Sequence, residues 1–203
     1  MAELFHNGTL LRHISVTLTE TLISFLLVTL LGIVCAVLLW AFPRLSAVLE
    51  PYLVVLNSLP KSALAPLLIV WLGNNTTTIV TAAVSVALFG SILTLYNGFC
   101  QTDEDKIRLI RSLGGTRTDV LLKVLLPGSL PMVINNMKVN IGLCLVGVII
   151  GEFLSARAGL GYLITYSAQT FTMTVLMTSI MILCLLSWLL YQAIACVEKK
   201  LTR

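Results

Sequence analysis

Charge is scarce in this chain, and two long stretches have none. Only 11% of the 203 residues are Asp, Glu, Lys or Arg, and none occurs from Thr21 to Pro43 or from Ser62 to Thr102. A soluble domain carries about 25% charged residues, so too little polar surface exists here to coat a globule in water. Histidine is also scarce: His6 and His13 both precede the first uncharged stretch. An intramembrane hydrolase would therefore lack an obvious base, since no Ser/His or His/Glu pair falls at membrane depth. The five cysteines, Cys35, Cys100, Cys144, Cys184 and Cys196, show no CxxC spacing, which argues against a disulfide framework and against a metal site. There is no GxxxxGK[ST] phosphate loop, so ATP hydrolysis on this chain is not expected. The formal net charge of +4 gives no reason to invoke nucleic acid. Glu3 and His6 precede a long apolar run with no small-residue cleavage site after it, unlike a secretory signal.

What is present is apolar: 58% of the residues are hydrophobic, and the mean hydropathy is +0.99. A membrane-spanning helix needs about 20 such residues. Spans are expected at about 20–42, 51–73, 79–99, 132–153 and 173–194, which makes residues 1–203 one all-α, polytopic transmembrane helix bundle. The second span holds Lys61 beside Pro60, with Pro66 further on, and should be kinked or broken where protein covers the freed backbone. Asn74 to Thr78 and residues 154–172 are read as loops on one side, and the polar segment 101–131 as a loop on the other.

Lys and Arg in the loops set the orientation. Arg44, Lys106, Arg108, Arg111, Arg117, Lys123, Lys199, Lys200 and Arg203 fall on one side, against Arg12 and Arg157 on the other. Segment 101–131 and the C-terminus are therefore expected in the cytoplasm, in a multi-pass protein of the bacterial inner (plasma) membrane.

Segment 101–131 has internal order. Ile107, Ile110 and Leu113 recur at three-residue spacing, with Arg108 and Arg111 on another face, which predicts a short amphipathic helix over Ile107–Thr116. Gly114-Gly115 should end it. Val120, Leu121, Val124 and Leu125 form a second apolar stripe that Pro127 and Pro131 should stop. Two readings fit: a knob for a soluble partner, or a loop on the headgroups held by anionic membrane lipid.

The stretch RSLGGTRTDVLLKVLLPGSLP (111–131) resembles the cytoplasmic signature loop of binding-protein-dependent ABC importer permeases. Gly114 takes the glycine position and Val124-Leu125-Leu126-Pro127 the terminal one. Arg108-Leu109-Ile110 stands where that family shows acid-Ala-Ala. NSLPKSALAPLLIVWLG (57–73) and GEFLSARAGLGYLI (151–164) resemble the nitrate/sulfonate/taurine-type branch, which includes permeases for thiamine-pyrimidine precursors and usually has six spans. The resemblance implies a type I importer permease without catalytic residues, paired as a homodimer. It further implies a separate ABC ATPase subunit that binds ATP and Mg, and an extracytoplasmic substrate-binding protein. Ile107, Arg108, Leu109, Ile110, Arg111, Ser112, Leu113, Gly114, Gly115 and Thr116 would then form the ATPase-coupling loop.

Ionisable groups inside spans cost about 2.5–3.5 kcal/mol on insertion scales and default to functional roles. Lys61 and Glu152 are candidates for a pathway or gate, with Gly159 and Gly161 in a tight external turn that Glu152 could brace. Lys138, seven residues past Pro131, should snorkel to the cytoplasmic surface. Asn136 and Asn140 share a face and suit interhelical hydrogen bonds, and Gly142 and Gly147 suit close helix contact. A secondary transporter would show repeated halves or a midplane acidic pair, and neither is visible. A passive assembly protein would explain the spans but not the ordered loop.

Overall fold

Helix formation follows from the apolar runs, because in lipid every backbone N–H and C=O must find a partner within the chain. The computed structural model describes residues 9–201, so Glu3, His6 and Arg203 lie outside the described residues. Nine helices follow in order among them: α1 (Thr9–Ala41), α2 (Pro43–Ser58), α3 (Lys61–Leu72), α4 (Thr76–Cys100), α5 (Glu104–Ser112), α6 (Arg117–Val120), α7 (Leu126–Ser155), α8 (Leu160–Gln169) and α9 (Met173–Leu201). A π-helical turn, Leu121–Leu125, joins α6 to α7.

Four helical bodies are long and apolar enough to cross a membrane: α1, α4, the continuous Arg117–Ser155 helix, and Met173–Lys199 of α9. Helices α2 and α3 qualify only together and meet at 94°. The break at Leu59-Pro60 is where Pro60 withholds a backbone donor. The segment from Pro43 to Glu50, read from sequence as a link, is instead the first half of α2, with Pro43 at its start, where a missing N–H costs nothing.

Helices α1, α4 and α7 form the centre. Phe25, Val28, Ala87, Ile141 and Cys144 pack in one cluster, and Ala36, Leu95, Phe99 and Leu125 in another nearer the α5 end. Asn136 and Asn140 each donate to Ser91 Oγ at 2.8 Å, tying α7 to α4. The close helix contact assigned to both Gly142 and Gly147 holds only at the second. A β-carbon on Gly147 would stand 2.5 Å from Ala83 Cα, whereas one on Gly142 meets nothing within 4 Å.

Two expectations at the α5 end need correction. Pro127 and Pro131 do not stop the helix. The N–H of Leu126 reaches back five residues to the Leu121 carbonyl, and this wide turn makes room for the Pro127 ring in the first turn of α7. Pro131 is absorbed inside α7. Lys138 does not snorkel freely: its Nζ lies 2.5 Å from Glu198 Oε2 on α9, so the two charges compensate each other. Glu198 belongs to the last part of α9.

Helix packing makes the two glycines unequal. Gly147→Ala is expected to destabilise the bundle by about 1–3 kcal/mol through overpacking against Ala83. Gly142→Ala should be neutral or slightly stabilising. Thermal unfolding of each variant in the same detergent measures both.

Candidate functional site

Two clusters at opposite ends of the bundle hold the sequence-derived candidates, and a third stands at the broken span. At the basic end, Asp103 opens α5 by accepting the N–H of Asp105 at 3.0 Å. The helix ends at Ser112, and Gly114 follows at φ +80°, a left-handed conformation that a β-carbon disfavours. The helix thus runs from Glu104 to Ser112 rather than over Ile107–Thr116. Thr116 closes the turn as the cap of α6: its N–H donates to Asp119 Oδ2 at 2.9 Å, and Asp119's own N–H returns to Thr116 Oγ1 at 3.3 Å. Lys123 pairs with Asp119 Oδ1 at 2.8 Å.

The expected apolar ridge is split. Ile107 is half-buried and faces a cavity of about 320 Å³ shared with Leu39, Trp40 and Tyr96. Ile110 packs against Gly115, where an added β-carbon would lie 2.5 Å from its side chain. The outward apolar residues are Leu109, 59% exposed, and Leu113, 76% exposed. They are four positions apart and so lie one helical turn from each other. The three-residue period had selected the seating face together with one member of the outer face. Arg108 lies within 4.0 Å of Asp105, and Arg111 lines the same cavity as Ile107. Arg117 donates to the Ala41 carbonyl at 2.5 Å and fastens the loop to the end of α1.

Lys61 stands at the break between α2 and α3. Its Nζ donates to the Asn57 carbonyl at 2.7 Å and to Asn57 Oδ1 at 3.1 Å. A helix C-terminus exposes unpaired carbonyls and a partial negative charge, so the ammonium caps α2. Lys61 therefore stands at the break itself and not within a continuous span.

At the opposite end, Glu152 is buried in α7 and organises the start of α8. It accepts the Thr17 hydroxyl at 2.7 Å and the Gly161 N–H at 2.6 Å. Thr17 Oγ1 in turn takes the Leu160 N–H at 2.8 Å, and His13 Nδ1 takes that of Gly159 at 2.9 Å. Three of the free N–H groups that open a helix are thus capped by side chains from α1 and α7. Gly159-Leu160-Gly161 is therefore the start of a helix rather than the tight turn expected. Gly159 sits at φ +117°, and a β-carbon there would overlap the Glu152 carboxyl. His13, Tyr162 and Tyr166 stack with successive ring centroids 6.0 Å apart.

Sequence reading found Glu152, Gly159 and Gly161 but missed Thr17, His13 and Glu20. The signal existed: Thr17, Glu20, Thr21 and Ser24 are all buried on α1, and their spacing of three, one and three residues marks one helix face.

The geometry defines a class. A bundle centred on α1, α4 and α7, with a bent α2–α3 pair and a short helix held off one end, is the fold of type I ABC importer permeases. It matches a chain of the inward-facing MetNI methionine ABC transporter with a TM-score of 0.84, at 22% identity, over 96% of this chain and 97% of that one. The chain belongs to the family described as the inner membrane component of binding-protein-dependent transport systems, which it matches over residues 28–202. Relatives include a probable ABC transporter permease of Haemophilus influenzae, 31% identical over 95% of this chain and 79% of that protein. The taurine transport permease TauC of Escherichia coli is 24% identical over 98% of this chain and 72% of its own length. This chain is accordingly a multi-pass inner-membrane transport subunit.

Removing the cap of α8 tests the Glu152 cluster. Losing acceptors for buried N–H groups costs about 1–3 kcal/mol. Leu163 is buried in α8, so a cysteine there should resist maleimide in the native protein and react readily when Glu152→Ala is added.

Proposed function

We propose that this permease subunit carries a small solute, of the nitrate, sulfonate/taurine or thiamine-precursor kind, delivered by an external binding protein and driven by ATP hydrolysed on a separate cassette ATPase. Relatives named for taurine, aliphatic sulfonates and formylaminopyrimidine support the solute range. ATP and Mg would be held by the ATPase, two permease chains would pair, and lipid would cover the apolar faces. The basic end and the C-terminus would face the cytoplasm, following the distribution of Lys and Arg.

The observation that carries the coupling role is the seating of α5. Ile107 turns toward the cavity beside Trp40 and Tyr96 and Ile110 toward Gly115, while Leu109 and Leu113 are exposed. An isolated nine-residue helix is too short to hold itself together in water, so its order comes from that seat. A partner's groove that covers Leu109 and Leu113 would gain about 1.5–3 kcal/mol for each. Force on α5 would pass through the Gly114-Gly115 turn into one helical body running from Arg117 to Ser155. That body ends beside Glu152, which holds the start of α8. A push at one end of the molecule could thus move the outer cap without a separate transmission element.

Leu113→Asp should lose the apolar contact and place a charge in the groove, so the ATPase should fail to co-purify with the permease. Ile107→Ala should instead loosen the seat and leave docking while lowering substrate-stimulated ATP hydrolysis in liposomes. Wild-type hydrolysis in both variants refutes the coupling role. The orientation fails if a cysteine at Thr116 is labelled from outside right-side-out vesicles by an impermeant reagent.

A further inference from the structure

The break between α2 and α3 lies near the middle of the membrane, as its packing on α4 requires. The start of α2 is level with the α5 end of α4, because Ser46 shares a cavity with Tyr96 and Cys100. The end of α3 meets the other end of α4 through Gly73 to Asn75. Between the two, Asn57 rests on Gly90: a β-carbon there would stand 3.2 Å from Asn57 Oδ1. Gly90 is the fifteenth of the 25 residues of α4. At 1.5 Å per residue it stands about 20 Å from one end of α4 and about 15 Å from the other, against a hydrocarbon core about 30 Å thick.

At that depth the chain presents an ammonium. Lys61 Nζ gives two of its three N–H groups to Asn57, which is neutral and leaves the charge standing. Among the described residues no carboxylate pairs with it, whereas Lys138 is compensated by Glu198. Lys61 is also the only Asp, Glu, Lys or Arg between Glu50 and Asp103. Its neighbours Asn57, Ser58 and Ser62 are exposed. A cation at mid-depth is costly against hydrocarbon and belongs on a water-filled path or against a counter-charge. A second copy that met this break with its own would bring another ammonium, since a two-fold contact sets the same patch on both sides. Charge complementarity therefore favours a small anion.

We propose that the α2–α3 break binds the anionic group of the solute, a sulfonate, nitrate or similar oxyanion, with the Lys61 ammonium as its charge partner. An oxyanion accepts a charge-assisted hydrogen bond and needs no rearrangement of the Asn57 contacts. A solute whose only charge is an ammonium is repelled. Within the solute range above, the site favours nitrate and sulfonates over aminopyrimidines. Lys61 thus keeps its role as the cap of α2 and adds selection within the membrane. The proposal rests on the importer reading for the route by which the solute arrives.

The test uses the full-length permease with its ATPase in nanodiscs. Ser62→Cys puts a thiol beside Lys61, and peptide mass spectrometry reads its alkylation by iodoacetamide apart from that of the native cysteines. The thiol should react. Ethanesulfonate should slow the reaction in a saturable way, and ethylammonium should not. Adding Lys61→Met should raise the ethanesulfonate concentration for half-protection roughly tenfold or more, as expected for losing a hydrogen bond to a charged group. Lys61→Arg should keep it near the original value. A thiol that resists iodoacetamide overturns the proposal, because lipid or a second copy then covers the position. Equal protection by the two probes overturns it too, as does protection that survives Lys61→Met unchanged. If Lys61→Met does not fold, the probe comparison with Lys61 intact and the Lys61→Arg variant decide the question. Absent protection with the ATPase still bound removes this site alone, whereas failure of the native permease to retain the ATPase removes the importer reading.

Discussion

Hydrocarbon offers no hydrogen bonds, and three places where this chain departs from a continuous α-helix answer to that constraint. Between α2 and α3 the carbonyl of Asn57 is met by the Lys61 ammonium. Where α7 must begin with a proline, a π-helical turn lets the Leu126 N–H reach Leu121. Where α8 starts inside the bundle, Glu152, Thr17 and His13 take the N–H groups that open it. Charged and polar side chains here serve the backbone first. A role in transport can only be built on positions already required for folding.

That economy links the two ends of the molecule. The helix from Arg117 to Ser155 starts at the turn after α5 and ends beside the cap of α8. Its middle is clamped to α4 by Asn136, Asn140 and Gly147. On the proposed coupling role, a clamped helix of this kind would carry a small displacement at one end to the other. Near its start the α-helical ladder is interrupted by the wide turn at Leu121–Leu125, and Gly114 before it lies at positive φ.

Much of the plan was legible in the amino-acid order. The uncharged runs marked the spans, Pro60 beside Lys61 marked a break, and the glycine pair after Arg111-Ser112-Leu113 marked the end of a short helix whose Gly114 does lie at positive φ. The Asn136/Asn140 pair was read as interhelical glue and does bond to α4. Gly159, Gly161 and Glu152 were read as one unit, though as a turn rather than the start of a helix. The polar stripe on α1 went unread because the hydropathy of that span is high enough to hide four polar residues.

Local physics decided which segments are helical, because backbone satisfaction in lipid depends only on neighbours in sequence and on the cost of a missing N–H. What faces what was decided by packing. Periodicity placed Ile107, Ile110 and Leu113 on one ridge, but Ile107 turned to the cavity beside Trp40 and Tyr96, Ile110 to Gly115, and Leu113 was left outside with Leu109. Hydropathy set Lys138 adrift near a surface, and only the approach of α9 supplied Glu198. Glu20 and Glu152 are 132 positions apart in the sequence. Their meeting exists only because α1 and α7 are neighbours in the folded chain, a fact that no pattern within either helix encodes.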